Sequence, residues 1–276
     1  MRQSSLDFDG KAFHTFTRGF QKPFDEVLIK TMQETMKYLC ENIQGCVLGY
    51  TQSDEITLVL VDYKKFTSQA WFDYEVQKMC SIAASMATMK FNQVFKELSY
   101  KEAEILECAC RKNPYLENRD YLTRISNAHT NSADKGAMFD CRCFNIPKEE
   151  VTNLVYWRQL DASRNSIQMV GRANFSHKEL QNKSCNDIQD MLMTQGINWN
   201  DLPIYQKRGS CCVKENHFIE NEKGTQICFS EGCSDPFEDE EALTGMYKSG
   251  WFVDKNIPLF KGEGRKYIDD LIFVGE

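Results

Sequence analysis

The chain has 276 residues, and 33 Lys+Arg against 40 Asp+Glu give it a formal net charge of −7 at pH 7. Its 42% hydrophobic, 12% aromatic and 26% charged residues are ordinary globular values, which exclude a disordered or collagen-like chain. No apolar run approaches the ~18 residues of a membrane span, and the first residues, Met1-Arg2-Gln3-Ser4-Ser5 running into Asp7 and Asp9, have no apolar signal region.

The first ordered piece is Leu6-Asp7-Phe8, read as a strand of only a few residues, followed by Asp9-Gly10-Lys11. From Lys22-Pro23 to Cys40, apolar residues at Leu28, Met32, Met36 and Leu39 have the spacing of an amphipathic helix, with Pro23 in its first turn. Gly45 breaks that pattern. Cys46–Tyr50 and Ile56–Val61 are β-rich runs joined by the polar tip Thr51-Gln52-Ser53-Asp54-Glu55, which predicts a hairpin. A longer helix follows, with Phe72, Val76, Met79, Ile82, Met86 and Met89 as its expected core stripe. A helix around Glu102–Arg111 and a polar loop then lead to a strand over Gly136–Ile146. From Lys148 the chain reads as mostly helical to about residue 200, then irregular through Gln206-Lys207-Arg208-Gly209. Residues 230–241 carry six acids and read as a solvated loop, while Trp251–Asp254 and Ile257–Phe260 look ordered and apolar.

The order strand, helix, hairpin, long helix, strand is β-α-β-β-α-β, the split βαβ plan. The expected fold class is therefore α+β: a ferredoxin-like antiparallel sheet over residues 1–147 with both helices on one face. Residues 148–276 form a helical and irregular region packed on it as one structural unit.

The twelve cysteines are scattered, and no two have C-x-x-C spacing. Cys211, Cys212, His217, Cys228 and Cys233 come nearest to a metal knuckle, but structural zinc sites favour tighter pairs. A cytoplasmic protein with free thiols is the expected reading. His129, His177 and His217 have no mutual spacing that suggests catalysis and are expected at the surface or in caps.

In the split βαβ plan, Asp9 at the end of the first strand and Asp54 at the hairpin tip lie side by side. Two carboxylates there repel unless a cation stands between them, and Mg²⁺ needs few protein ligands when phosphates supply the rest. Gly10 permits close backbone approach, and the N–H groups from Gly10 to Phe13 offer a row of donors to a triphosphate. Lys11, His14, Arg18 and Lys22 add cationic candidates. Asp9-Gly10 is equally an ordinary turn dipeptide and Ser53-Asp54-Glu55 an ordinary hairpin tip, so spacing alone leaves both readings open.

Five motifs in order resemble the tRNA-histidine guanylyltransferase superfamily: Asp9-Gly10-Lys11-Ala12-Phe13-His14-Thr15-Phe16, Lys22-Pro23-x-Asp25, Tyr50-Thr51-Gln52-Ser53-Asp54-Glu55, Phe139-Asp140-x-Arg142 and Tyr156-Trp157-Arg158-Gln159. The resemblance implies a polymerase-palm-like domain that adds nucleotides to the 5′ end of tRNA in the 3′-to-5′ direction. It implies two Mg²⁺ ions held by Asp9, Asp54 and the Gly10 carbonyl, with Glu55 beside them in the catalytic group. It implies ATP, GTP or another NTP held by Gly10, Lys11, Ala12, Phe13, His14, Lys22 and Ser53. A homotetramer, as a dimer of dimers, is the implied assembly.

Where the dedicated tRNA-histidine enzymes carry His-Ile-Asn-Asn, this chain has Asp161-Ala162-Ser163-Arg164-Asn165-Ser166. That departure favours the guanylyltransferase-like branch, which repairs truncated tRNA 5′ ends. Asp7 stands where the family usually has Arg, and its extra negative charge is expected to weaken the metal site. A catalytically impaired tRNA- or nucleotide-binding homologue is the rival reading, and a palm-type nucleotide cyclase a third. Net charge does not exclude RNA: from Lys148 to Lys183 six basic residues face four acids.

Overall fold

Gln3–Gly10 form an eight-residue first strand, β1, longer than the few residues expected. Its polar start masks the strand, yet Ser4 Oγ donates to Asn145 Oδ1 at 3.2 Å and Ser5 Oγ to the Leu58 carbonyl at 3.2 Å. The computed structural model describes residues 3–64, 67–113, 115, 117–220 and 245–274. Along this chain follow α1 (Phe13–Phe16), α2 (Glu26–Asn42), β2 (Cys46–Gln52), β3 (Glu55–Val61), α3 (Val76–Lys112), α4 (Arg119–Lys135) and β4 (Phe139–Asn145). The remainder comprises α5 (Lys148–Asn174), α6 (His177–Leu180), α7 (Cys185–Thr194), α8 (Ile204–Arg208), β5 (Ser210–Glu220), β6 (Gly245–Asp254) and α9 (Lys266–Ile272).

The strands form one sheet in the order β4-β1-β3-β2-β5-β6, with every neighbouring pair antiparallel. The first four strands keep the expected split βαβ topology, and β1 lies between β3 and β4. Alternation along the strands sorts their side chains. Leu6, Phe8, Ile56, Leu58 and Leu60 face α2 and α3. Tyr50, Val59 and Val61 face α5, α9 and the segment holding Ile257 and Phe260. Both faces of the sheet are thus covered, the second by the C-terminal part of the same chain.

Helix α2 begins after Asp25, whose Oδ1 accepts from the Leu28 N–H at 3.1 Å as its N-cap, so Pro23 precedes the helix and is not in its first turn. Helix α3 runs unbroken for 37 residues through the region read as two helices. Its buried stripe is Met79, Ala83, Ala87, Phe91 and Phe95, whereas Val76, Ile82 and Met89 are exposed. Small alanines let the helix approach the sheet closely, and the larger apolar residues were pushed outward. The phenylalanines continue into a ring cluster with Phe13, Phe16, Phe20 and Phe139.

The expected polar loop after α3 contains α4. Residues 148–194 are helical as expected, and the short α8 occupies the stretch read as irregular. Beyond it, β5 joins β2 through pairs such as Gly49↔Cys212 and Tyr50↔Cys211, so both cysteines are buried strand residues. Gly209, at φ 81, packs against the Thr51 carbonyl where a Cβ would lie 2.5 Å away. Cys228, Cys233 and the acidic stretch 230–241 lie outside the described residues. Buried Gln159 ties α5 to the C-terminal segment, donating to the Pro258 carbonyl at 2.8 Å and accepting from the Phe260 N–H at 3.0 Å. Among the described residues no helix is long and apolar enough to cross a membrane.

Candidate active site

Antiparallel register places the two candidate carboxylates at one end of the sheet. Asp9, near the end of β1, is the Cα partner of Glu55, and Glu55 pairs with Gln52 across a two-residue turn of Ser53 and Asp54. Ser53 closes that turn at φ 51, a left-handed conformation in which non-glycine residues are strained. Its hydroxyl donates to Asp54 Oδ1 at 2.9 Å.

The Asp54 carboxyl is held above its ordinary range, chiefly by burial. The Ser53 and backbone hydrogen bonds pull it down, and the charge of Asp9 pushes it up further. The two acids therefore sense each other, the condition that a bound hard cation relieves. Among the described residues no group of three or more His, Cys, Asp or Glu is placed to hold a metal. A cation here would rest on two carboxylates and on non-side-chain oxygens, which suits Mg²⁺.

Beside the hairpin tip opens a cleft of about 630 Å³. His14, Lys22, Ser53 and Asp54, all candidates from the sequence, line it together with Phe13. Arg18 and Arg172 also line it, the latter from α5. Lys11 and Ala12 are exposed and lie off the cleft lining, while Asp9 and Gly10 sit at the strand end next to it. The expected row of N–H donors is shorter than supposed, because Lys11 N–H donates to the Met138 carbonyl at 2.9 Å. No described residue accepts from the N–H groups of Ala12, Phe13 and His14, and Ala12 turns the chain there in the left-handed region at φ 54. Gly10 is required by packing: a Cβ on it would stand 2.2 Å from Phe13 Cδ2.

Glu55 turns to a different partner. Arg158, reaching from α5, places Nη1 3.1 Å from Glu55 Oε2 and Nη2 2.6 Å from Asp7 Oδ2. Gln52 Nε2 also donates to Glu55 Oε2 at 3.0 Å. Burial pushes the Glu55 carboxyl up, the Arg158 charge and the Gln52 hydrogen bond pull it down, and Asp54 and Asp9 raise it again. Asp7 is therefore paired with an adjacent guanidinium that it shares with Glu55, so the negative charge expected to weaken the metal site is offset in part. Arg142 on β4 stands 3.4 Å from Asp140 Oδ2 and 4.0 Å from Asp9 Oδ2.

The sequence offers Arg158 as part of a motif and of a basic stretch for tRNA phosphates, whereas its guanidinium is taken up by Asp7 and Glu55, and it offers His129 as a surface or capping residue. His129 is in fact 2% exposed, behind the cleft wall. Its contact with Asp25 bridges 104 positions of sequence, a separation that local periodicity does not register. His177 is exposed as expected, and the His217 side chain lies outside the described set.

The description of the tRNAHis guanylyltransferase (Thg1) family matches residues 5–147 of this chain. A bacterial tRNA(His) guanylyltransferase (Thg1)-like protein, solved in complex with ATP, superposes with a TM-score of 0.73 at 37% identity. That match covers 99% of this chain and 91% of the other. A bacterial Thg1-like protein in complex with GTP superposes with a TM-score of 0.67 at 34% identity, covering 99% and 90%. The uncharacterized protein R259 of Acanthamoeba polyphaga mimivirus is 29% identical over 239 residues, 80% of this chain and 73% of its own length.

Proposed function

The chain belongs to the tRNAHis guanylyltransferase family and is a nucleotidyltransferase, and from that premise we propose that it adds nucleotides to the 5′ end of tRNA in the 3′-to-5′ direction. The observation that carries this reading is a cleft that gathers His14, Lys22, Ser53 and Asp54 from three separate segments. In the reaction, ATP activates the tRNA 5′ phosphate by adenylylation with loss of pyrophosphate, or the end is already a triphosphate. The 3′-OH of an incoming NTP then attacks the 5′ α-phosphate, and AMP or pyrophosphate leaves.

This chain's residues position and neutralise. Lys22, Arg18, Arg172 and His14 balance phosphate charge along the cleft, and the N–H groups of Ala12 to His14 take phosphate oxygens. Asp9, Asp54 and the Gly10 carbonyl would hold two Mg²⁺ ions, which supply charge neutralisation and activation of the attacking hydroxyl. Glu55 acts through Arg158, fixing the hairpin against α5. ATP and GTP as nucleotide substrates are supported by the likeness to the two bacterial proteins solved with them.

The pairing of Asp7 with Arg158 supports an intact enzyme over a catalytically impaired binding homologue, since it weakens the charge argument for impairment. Repair of truncated tRNA, and not guanylate addition to tRNA-His alone, is the preferred substrate reading, because Asp161 to Ser166 replace His-Ile-Asn-Asn. We assign catalysis to residues 1–147 and read 148–276 as packed on them in one unit, supported by the reach of Arg158 and the β2–β5 pairing. A dimer of dimers is part of the same proposal, supported by exposed Met138 and Phe144 at the edge strand β4. A cytoplasmic location is supported by the free thiols among the described cysteines.

The test is incubation of purified protein with Mg²⁺, ATP, NTPs and a tRNA lacking its first nucleotide. One-nucleotide 5′ extension is expected. Turnover of NTP without tRNA would point to a cyclase, and tight tRNA binding without incorporation to the impaired homologue.

A further inference from the structure

We propose that His129 is a positioning residue for the nucleotide cleft, holding from behind, through Asp25, the wall formed by Arg18 to Pro23. The inference rests on the reading of that cleft as the nucleotide site. It concerns a residue on α4, a helix that contributes no side chain to the cleft lining.

His129 Nε2 is 2.8 Å from Asp25 Oδ2, and Nδ1 faces Glu102 Oε2 at 3.6 Å, an ion-pair distance longer than a hydrogen bond. With a carboxylate before each nitrogen, the ring serves best as a doubly protonated donor. His129 and Asp25 are both buried, at 2% and 6% exposure, so each depends on the other for compensation. Asp25 passes the constraint on. Its Oδ2 also accepts from the Gln21 N–H at 3.0 Å, and its Oδ1 caps α2 through Leu28.

Independent contacts from α4 hold the same wall. The His129 ring meets Phe20 edge-on at 4.6 Å between centroids and 88°. Ser132 Oγ donates to the Phe16 carbonyl at 2.8 Å. At Gly19, φ 90, a Cβ would lie 3.1 Å from the Ala128 Cβ, so the wall runs close along the helix. The cations Arg18 and Lys22 stand on the segment between these anchors, and both line the cleft. Releasing Asp25 frees that segment to move, and the cations lose their fixed separation from the hairpin tip.

The experiment measures ATP dissociation constants by calorimetry, together with KM and kcat for ATP in tRNA 5′ activation, for the full chain. His129→Leu removes both charge and donor and is expected to raise the ATP KM and dissociation constant about tenfold, with kcat within about twofold. His129→Gln keeps a donor to Asp25 without the charge, and about a threefold rise is expected; it carries the test if the leucine variant does not fold. Wild-type ATP affinity in either folded variant, with only a lower Tm, overturns the proposal. Lys22→Ala tests the underlying reading separately. If it leaves ATP binding unchanged, the nucleotide lies elsewhere; if it weakens binding while the His129 variants do not, only the positioning role fails.

Discussion

Arg158 Nη2 lies 2.6 Å from Asp7 Oδ2, joining α5 to the strand that carries Asp9 two residues later. The pair is well shielded, at 18% and 14% side-chain exposure, and the same guanidinium holds Glu55. A charge that looked like damage to a metal site is thus half of an internal bridge. Arg158→Met leaves two acids facing one another without a cation and should cost about 3 kcal/mol. Asp7→Arg should be no improvement, because it sets one guanidinium against another. Urea denaturation of both variants checks this, and a wild-type midpoint for Arg158→Met would refute the bridge.

Gly10 offers a sharper probe of the backbone turn. The Phe13 ring beneath it is wedged among Phe16, Phe91 and Phe139 at centroid distances of 5.1 to 5.5 Å, so it has little room to yield. Gly10→Ala is expected to cost about 1–3 kcal/mol through overpacking. It should also displace the Ala12–His14 N–H groups, so nucleotide affinity should fall more than stability alone explains. Calorimetric titration with ATP separates the two effects.

Stability should carry the signature of the buried histidine. Burial lowers the His129 pKa, but the hydrogen bond to Asp25 and the facing Glu102 more than offset it and raise it to about 9. Below pH 6.5 the ring is protonated in folded and unfolded chains alike, so its contribution is complete. As pH rises from 6.5 through about 9, the unfolded chain releases the proton first and the contribution is lost. The gap corresponds to about 3 kcal/mol at most. Unfolding free energies of wild type and His129→Gln, measured between about pH 6 and 9.5, should converge upward in pH; a constant difference would contradict the protonated pair.

The pattern of agreement follows the physics of the signals. Helix α2 announces itself by the periodic burial of Met32, Met36 and Leu39, and the β2–β3 hairpin by the β-rich run Ile56 to Val61 after a polar tip. Helix α4 hides because its buried residues are His129, Ser132 and Ala133, which form no apolar stripe. Strand β5 hides because its apolar run is only Cys211, Cys212 and Val213 before the polar Lys214 to His217, too short and cysteine-rich to read as a strand. At the site, a hairpin tip beside a strand end was enough to bring Asp9 and Asp54 together. The partners that set their surroundings, Arg158 for Asp7 and His129 for Asp25, are separated by 151 and 104 residues and depend on tertiary packing.

The most direct measurement is 5′ extension of a tRNA lacking its first nucleotide by wild type, Asp9→Ala and Asp54→Ala, with Mg²⁺, ATP and NTPs. Wild type should add the missing nucleotide. Each variant should lose on the order of a thousandfold in rate while retaining a cooperative thermal transition, because phosphate charge would no longer be balanced at the sheet end. Wild-type extension by both variants would contradict the assignment of these two carboxylates to the catalytic centre.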